Sequence, residues 1–424
     1  MSHADSRQSD AAPVRKLLGR APVFVLTINV ILCLALLFRP GLFLVFGLFA
    51  DGLNPQIINL DFSNYWFAGK LVSAGSPIAV LYHDIYFAAA QAFFGDEYRW
   101  HSWSYPPHYL LMVWPLSFLP YKIALVTFLG TTLALFVYAC RKFAGTGFAN
   151  ERLFWILLLP VIATNVVSAQ NGFLTSALML LTFAFRGEGR FIVAGFFLAC
   201  LTVKPQLGIL IPIYLALQRD WRTLVSASIF TVALIALTSL MFGIDAWIAY
   251  LEVTVPKMSS VMNVGTGTFL YMMPTFFMSA RALDLSAATA GLLQTVVAVP
   301  LLFLFVYSVR NTGDELTRLF SLAAFTFLIV PYGFSYDLGA LIALACLVYL
   351  QQSQAIFAAL PGWHGAYRAD IAIWLLALLP AAITELAISG LPLGPVILLA
   401  VTLYFLAANR TGAMAVQPVQ AENR

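Results

Sequence analysis

The sequence predicts an all-α membrane protein of about twelve spans, and three observations carry that prediction. Hydrophobic residues fill 61% of the 424 positions, charged residues only 10%, and the mean hydropathy is +0.87. That is more apolar surface than a water-soluble core absorbs. The apolar residues come in continuous runs of roughly one span each, ~20 residues, broken by Pro, Gly or Asn. They do not show the two-residue alternation of a barrel strand, so helices follow. Basic residues gather in short stretches between the runs, which orients the chain by the positive-inside rule.

Composition also excludes several classes of function. The net charge of +4 comes from scattered residues that form no contiguous patch, so no nucleic-acid partner is expected. Cys33, Cys140, Cys200 and Cys346 all fall in apolar segments and carry no metal-ligand spacing. With 5 His and no spaced cluster there is no zinc motif, and no cofactor is implied.

Taken in order, residues 1–21 read as a cytoplasmic tail carrying Arg7, Arg15, Lys16 and Arg20. The first run, 22–48, suits a retained anchor better than a signal peptide, because no small-residue cleavage site follows it. The loop 51–120 is too long and too aromatic to be a mere connector. Within it, 63–74 and 84–94 read as short amphipathic helices on the membrane surface, separated by the breaker Gly75-Ser76-Pro77. Segment 105–140 is either two spans or a short re-entrant helix, Pro106 to Phe118, followed by one span. The one-span reading places 16 of the 23 basic residues inside and is preferred. Further spans follow at about 153–168, 171–185, 191–203, 205–218, 223–242, 287–309, 316–331, 337–350, 369–388 and 391–408. The single transmembrane domain thus covers 22–408, with a second periplasmic loop at 243–286 and a cytoplasmic tail at 409–424. No internal repeat of the kind that marks many transporters is visible.

Polar residues beside hydrocarbon are costly and ask for a reason. Asp61 lies just past the first span, beside Tyr65 and Trp66. Tyr105-Pro106-Pro107-His108, Gln170-Asn171-Gly172, Lys204-Pro205-Gln206 and Tyr336-Asp337 fall on the same outer side. Each has a plain structural reading: Asp61 as a helix N-cap, Asn171-Gly172 as a turn, Lys204 as a snorkelling lysine, Pro106-Pro107 as a helix start, His108 as a polar helix end, and the aromatic residues as an interfacial belt. Their convergence on one face is what those readings leave unexplained. An acid facing a lysine and amides is the set that an attacking hydroxyl and a phosphate leaving group require.

The pattern Asp61-Phe62-x-x-Tyr65-Trp66-x-Ala68-Gly69, Gly75-x-Pro77, Leu81-Tyr82, Tyr105-Pro106-Pro107, Gln170-Asn171-Gly172 and Lys204-Pro205-Gln206 resembles glycosyltransferase family 87 over about residues 55–340. These are polyprenol-phosphate-sugar-dependent enzymes of the GT-C fold, alpha-1,2-mannosyltransferases among them. The resemblance implies a GT-C bundle in a bacterial inner membrane with its site facing the periplasm. It implies a polyprenyl-phosphate sugar as donor, mannose first, and a lipid or glycan hydroxyl as acceptor. Asp61 maps onto the catalytic base. Lys204, Lys257 and Arg281 are then candidates for the donor phosphate, and Tyr65, Trp66, Trp103, Tyr105, His108, Gln170, Asn171, Gln206, Tyr336 and Asp337 for donor or acceptor. No metal is expected, although Asp51, Asp61 and Asp337 could hold one. Ser335-Tyr336-Asp337 departs from those mannosyltransferases, which carry a histidine there, and so leaves sugar and acceptor open. The rival classes are a lipid-sugar transporter or flippase and a non-catalytic envelope partner.

Overall fold

The computed structural model describes residues 44–99, 101–149, 152–265, 267–359 and 363–415, with isolated positions 31, 35, 41 and 42. The expected tail 1–21, Cys33, most of the first span and the last residues of the C-terminal tail lie outside the described residues. Every regular element described is helical.

Among the described residues, four helices are long and apolar enough to cross a membrane: Tyr121–Gly145, Trp221–Phe242, Ala287–Asn311 and Arg368–Ile388. Six shorter apolar helices accompany them, at Arg152–Ser168, Gly172–Gly187, Phe191–Leu201, Pro205–Leu217, Ser335–Gln351 and Gly394–Asn409. At 1.5 Å per residue the shorter ones fall below the ~30 Å hydrocarbon thickness. Gly172–Gly187 is accommodated inside the bundle, where most of its side chains are buried, while Phe191–Leu201 leaves Ile192 and Phe196 exposed.

The loop 51–120 folds first into α1 (Pro55–Ile58), α2 (Phe62–Ser73), α3 (His83–Phe94) and α4 (His108–Val113). Here one expectation is corrected. Helix α2 does not lie on a surface with one apolar face: Phe62 through Gly69 are all buried. The reason is that the loop builds its own core, with Phe62, Tyr65, Trp66, Tyr86, Trp103 and Tyr109 packed together. Gly69 lets α2 approach the following segment closely, since a Cβ there would lie 2.9 Å from Ser117 Cβ and 3.1 Å from the Val113 carbonyl oxygen. Helix α3 does show one buried face, His83, Tyr86 and Ala90, at helical spacing. Residues 108–118 form α4 and a 3-10 turn, Trp114–Phe118, too short to span.

The bundle continues with α5 (Tyr121–Ala149), α6 (Arg152–Ser168), α7 (Gly172–Gly187), α8 (Phe191–Leu201), α9 (Ile211–Leu217) and α10 (Trp221–Phe242). Next come four short helices, α11 (Ile244–Ala249), α12 (Val255–Val264), α13 (Thr268–Tyr271) and α14 (Phe276–Ala282), with a π-helical turn at Tyr250–Thr254. The chain closes with α15 (Ala287–Asn311), α16 (Glu315–Ile329), α17 (Gly339–Ala359), α18 (Trp363–Ile388) and α19 (Gly394–Ala415). Helix α19 thus runs past 408, where the tail was expected to begin.

Two devices fix this arrangement. Side-chain caps start several helices: Asp220, Thr275, Ser286 and Asp314 each accept a backbone N–H of their helix's first turn. At one end of the bundle, Arg186 joins Asp220 (2.7 Å) and Glu315 (2.5 Å), while Tyr214 donates to Glu315 (2.6 Å). That network ties α7, α9, α10 and α16 together at the end opposite the loop core.

Candidate functional site

A cavity of about 830 Å³ opens between the loop core and the bundle. Asp61, Asn64 and Tyr65 reach it from the start of α2, because residues spaced three and four apart share one helix face. Asp61 stands at the position of an N-cap yet makes no side-chain cap hydrogen bond, which removes the capping explanation for it. Its side chain is 41% exposed, and among the described residues His101 Nε2 lies 3.9 Å from its Oδ1. The His101 Nδ1 sits 2.8 Å from the Arg99 carbonyl oxygen, an acceptor only, so Nδ1 carries the proton and donates it there. Nε2 is then the atom left facing Asp61.

Behind Asp61 runs a chain of neutral hydrogen bonds. Tyr65 donates to Gln170 Oε1 at 2.5 Å, and Tyr105, 2.9 Å away, therefore donates to the Tyr65 oxygen. Burial pushes the Tyr65, Tyr105 and Tyr336 phenols well above the ordinary range. They remain protonated donors and are unsuited as bases. Asn171 Nδ2 donates to the Tyr109 oxygen at 3.2 Å. Gly172 follows because no Cβ fits there: it would lie 2.1 Å from the Tyr336 carbonyl oxygen and 2.4 Å from Asn165 Oδ1. Asn165 donates to that same Tyr336 carbonyl at 2.8 Å, which locks the 170–172 turn against the 332–338 segment.

The opposite wall carries Lys204. Its ammonium donates to both Asp337 oxygens, at 2.8 and 2.9 Å, and lies 4.7 Å from the Tyr336 ring centroid. Thr175 donates to Asp337 as well, at 3.2 Å. Both charged groups are buried, at 5% and 1% exposure. Burial pulls Lys204 below its ordinary value, and Asp337 opposes that pull. Two of the three ammonium N–H groups are thereby used, and the third remains for the cavity side. Lys257 and Met258 enter from α12, a helix with no buried residue, and Gln206 lies beside Lys204.

Of the expected site residues, Asp61, Tyr65, Tyr105, Gln170, Lys204, Gln206, Lys257 and Tyr336 line this one cavity. The others are placed elsewhere. Trp66 donates to the Leu119 carbonyl (3.0 Å) and packs on Tyr121, since it sits one position from Tyr65 and so about 100° round the helix. Trp103 is fully buried and donates to the Tyr105 carbonyl (2.7 Å). His108 is buried against Trp247. Thr202 gives its proton to the Ala199 carbonyl, so His108 Nε2 donates to the Thr202 oxygen at 3.2 Å. Arg281 is committed to the Asn263 and Leu285 carbonyls, at 3.0 and 2.8 Å. Asn171 and Asp337 lie behind the wall and hold Tyr109 and Lys204. Asn64 and His101 are cavity residues that the sequence reading passed over; the i, i+3, i+4 spacing from Asp61 was a usable signal for Asn64. Among the described residues no three His, Cys, Asp or Glu side chains meet in a group that could hold a metal ion.

Fold and cavity together define a class: an all-helical membrane protein whose open chamber carries a carboxylate and an ammonium on its walls, with amides and phenols beside them. The sequence model of glycosyltransferase family 87 matches residues 103–331, more than half of the chain, and the chain belongs to that family. It is therefore a membrane glycosyltransferase acting on a sugar donor and an acceptor. No curated protein and no solved structure was found to match it. The matched region holds Tyr105, Gln170, Lys204 and Lys257, while Asp61 precedes it and Tyr336 follows it.

Proposed function

We propose that this glycosyltransferase moves a sugar, mannose first, from a polyprenyl phosphate to a lipid or glycan hydroxyl on the outer side of a bacterial inner membrane. Asp61 takes the proton of the acceptor hydroxyl as that oxygen attacks the anomeric carbon. The bond from that carbon to the phosphate oxygen breaks, its electron pair leaves with the lipid phosphate, and the centre inverts. Lys204 and Lys257 offset charge on the departing phosphate, and the Tyr65–Gln170 pair orients polar groups of the substrate. The twelve-span topology with both termini inside belongs to this reading.

The observation that carries it is the Asp61 carboxylate: uncapped, partly exposed and on the wall of the cavity that Lys204 faces. Other ionisable groups on that wall include Tyr65, Tyr105, Tyr336, Lys204, His101 and Lys257. The phenols are held protonated and Lys204 is paired with Asp337. The test is turnover by purified protein in lipid with a panel of radiolabelled polyprenyl-phosphate sugars, wild type beside Asp61→Asn, with and without EDTA. Transfer of label from one donor, lost in Asp61→Asn and indifferent to EDTA, supports the assignment. A variant that keeps a tenth or more of the activity refutes Asp61 as base.

A further inference from the structure

A second cavity, of about 920 Å³, lies far from the first, between α8 and α10. Its floor is apolar, built by Phe191, Ile192, Val225, Ile229 and Phe230, and Ser226 bonds across it to the Ile192 carbonyl at 3.2 Å. Its rim carries Arg190, Arg222 and Trp221. The Arg222 guanidinium rests 5.6 Å from the Phe191 ring centroid and has no acidic partner among the described residues. Arg190 is 55% exposed, has Glu188 at 3.8 Å, and sets its guanidinium 4.6 Å from the Phe185 ring centroid.

The place of this groove on the molecule narrows its occupant. Helix α10 is one of the candidate membrane spans, and its far end, Phe242, packs on Trp114 in the loop core. Over 22 residues the rise is ~33 Å, so the groove sits at the opposite membrane boundary from the Asp61 cavity. Ile192, Val225 and Ile229 are exposed there, as side chains turned to hydrocarbon would be. A tryptophan and two arginines at the mouth of an apolar groove at that depth match the layers of a phospholipid: acyl chain, interface, charged headgroup.

We propose that this groove is a specific site for one anionic membrane phospholipid, whose phosphate is held by Arg190 and Arg222 and whose acyl chain lies along α10. Arginine suits this role because its planar fork binds phosphate oxygens in pairs. The site is independent of the sugar-transfer chemistry proposed above.

Brominated phosphatidylglycerol and brominated phosphatidylcholine, reconstituted with the intact chain at graded mole fractions, test it through quenching of Trp221. The Trp221 signal is the difference between wild type and Trp221→Phe. The expected result is half-quenching by phosphatidylglycerol at a mole fraction at least five-fold lower than by phosphatidylcholine. Arg190→Gln with Arg222→Gln should abolish that preference while leaving the phosphatidylcholine curve in place. Equal curves for the two lipids in the wild type would overturn the proposal, as ordinary annular lipid behaves that way. Absence of quenching by either lipid would also overturn it, because a second protein surface would then cover the groove. The wild-type comparison stands even if the double variant fails to fold.

Discussion

Asp61 and Asp337 bring the same carboxylate to one chamber, the first onto its wall and the second just behind Lys204. Asp337 accepts from Lys204 through both oxygens and from Thr175, at 1% exposure. The Asp61 side chain is 41% exposed, caps nothing and, among the described residues, has only His101 within ion-pair reach, at 3.9 Å. A carboxylate whose oxygens are already taken up by several donors has few lone pairs left for a substrate. One with spare lone pairs beside a cavity is available to a substrate hydroxyl. The contrast separates a carboxylate that builds the site from one that can act in it, although in sequence both are simply acids beside aromatic residues.

The sharpest way to break that contrast is to remove each acid in turn. Asp61→Asn should lower kcat by about 10²–10⁴-fold and leave the melting temperature unchanged, as read from turnover and thermal unfolding of the same preparation. Asp337→Asn should do the reverse first. It strands a buried ammonium and should cost about 3–5 kcal/mol of stability, measured by unfolding in a fixed lipid or detergent. Replacing the pair together, Lys204→Met with Asp337→Leu, should recover most of that stability and still lack activity. Recovered activity would show that the ammonium serves the fold alone.

A smaller effect concerns His108. Burial pulls its imidazole down to about 4 from the ordinary 6.5. Because the folded value lies below the unfolded one, the stability this group contributes is present above about pH 6.5 and is lost as pH falls through that window. The loss should reach about 2–3 kcal/mol by pH 4 and should flatten in His108→Gln, seen as a shallower fall of melting temperature with acid. Smallest is Tyr65→Phe, which removes one donor from Gln170 and should cost about 1 kcal/mol in kcat/KM, with the fold intact.

The all-helical architecture was legible from hydropathy, because the helices in a membrane are fixed by apolar run length and by the need to satisfy the backbone internally. The breaks before Gly172, after Leu201 and at Leu119-Pro120 fall where Pro, Gly and polar residues announce them. Less visible was the loop 51–120. It looked like surface helices and instead folds around a core of its own, since whether an aromatic residue faces lipid headgroups or other aromatics depends on partners 40 or more positions away, as with Tyr65 and Tyr105. Trp66 could have been set aside from sequence, for neighbours on a helix point to different sides. The Lys204–Asp337 pair could not have been read, because 133 positions separate its members. Arg281 likewise looked available for phosphate, and its carbonyl partners are set by how α12 and α14 meet.

Helix α12 covers the chamber while burying none of its own residues, and it hangs from a π-helical turn at Tyr250–Thr254. Met262 packs against the cluster of Leu270, Phe277 and Tyr336, but the exposed positions of the helix are under little packing constraint, and substitutions there fall within about 0.5 kcal/mol of neutral. The floor has no such latitude, with Gly172, Asn165 and Tyr336 locked at contact distance. Divergence in what the enzyme accepts is therefore expected to be written into the exposed positions of residues 255–264 other than Lys257, where new side chains can be tried over an unchanged floor.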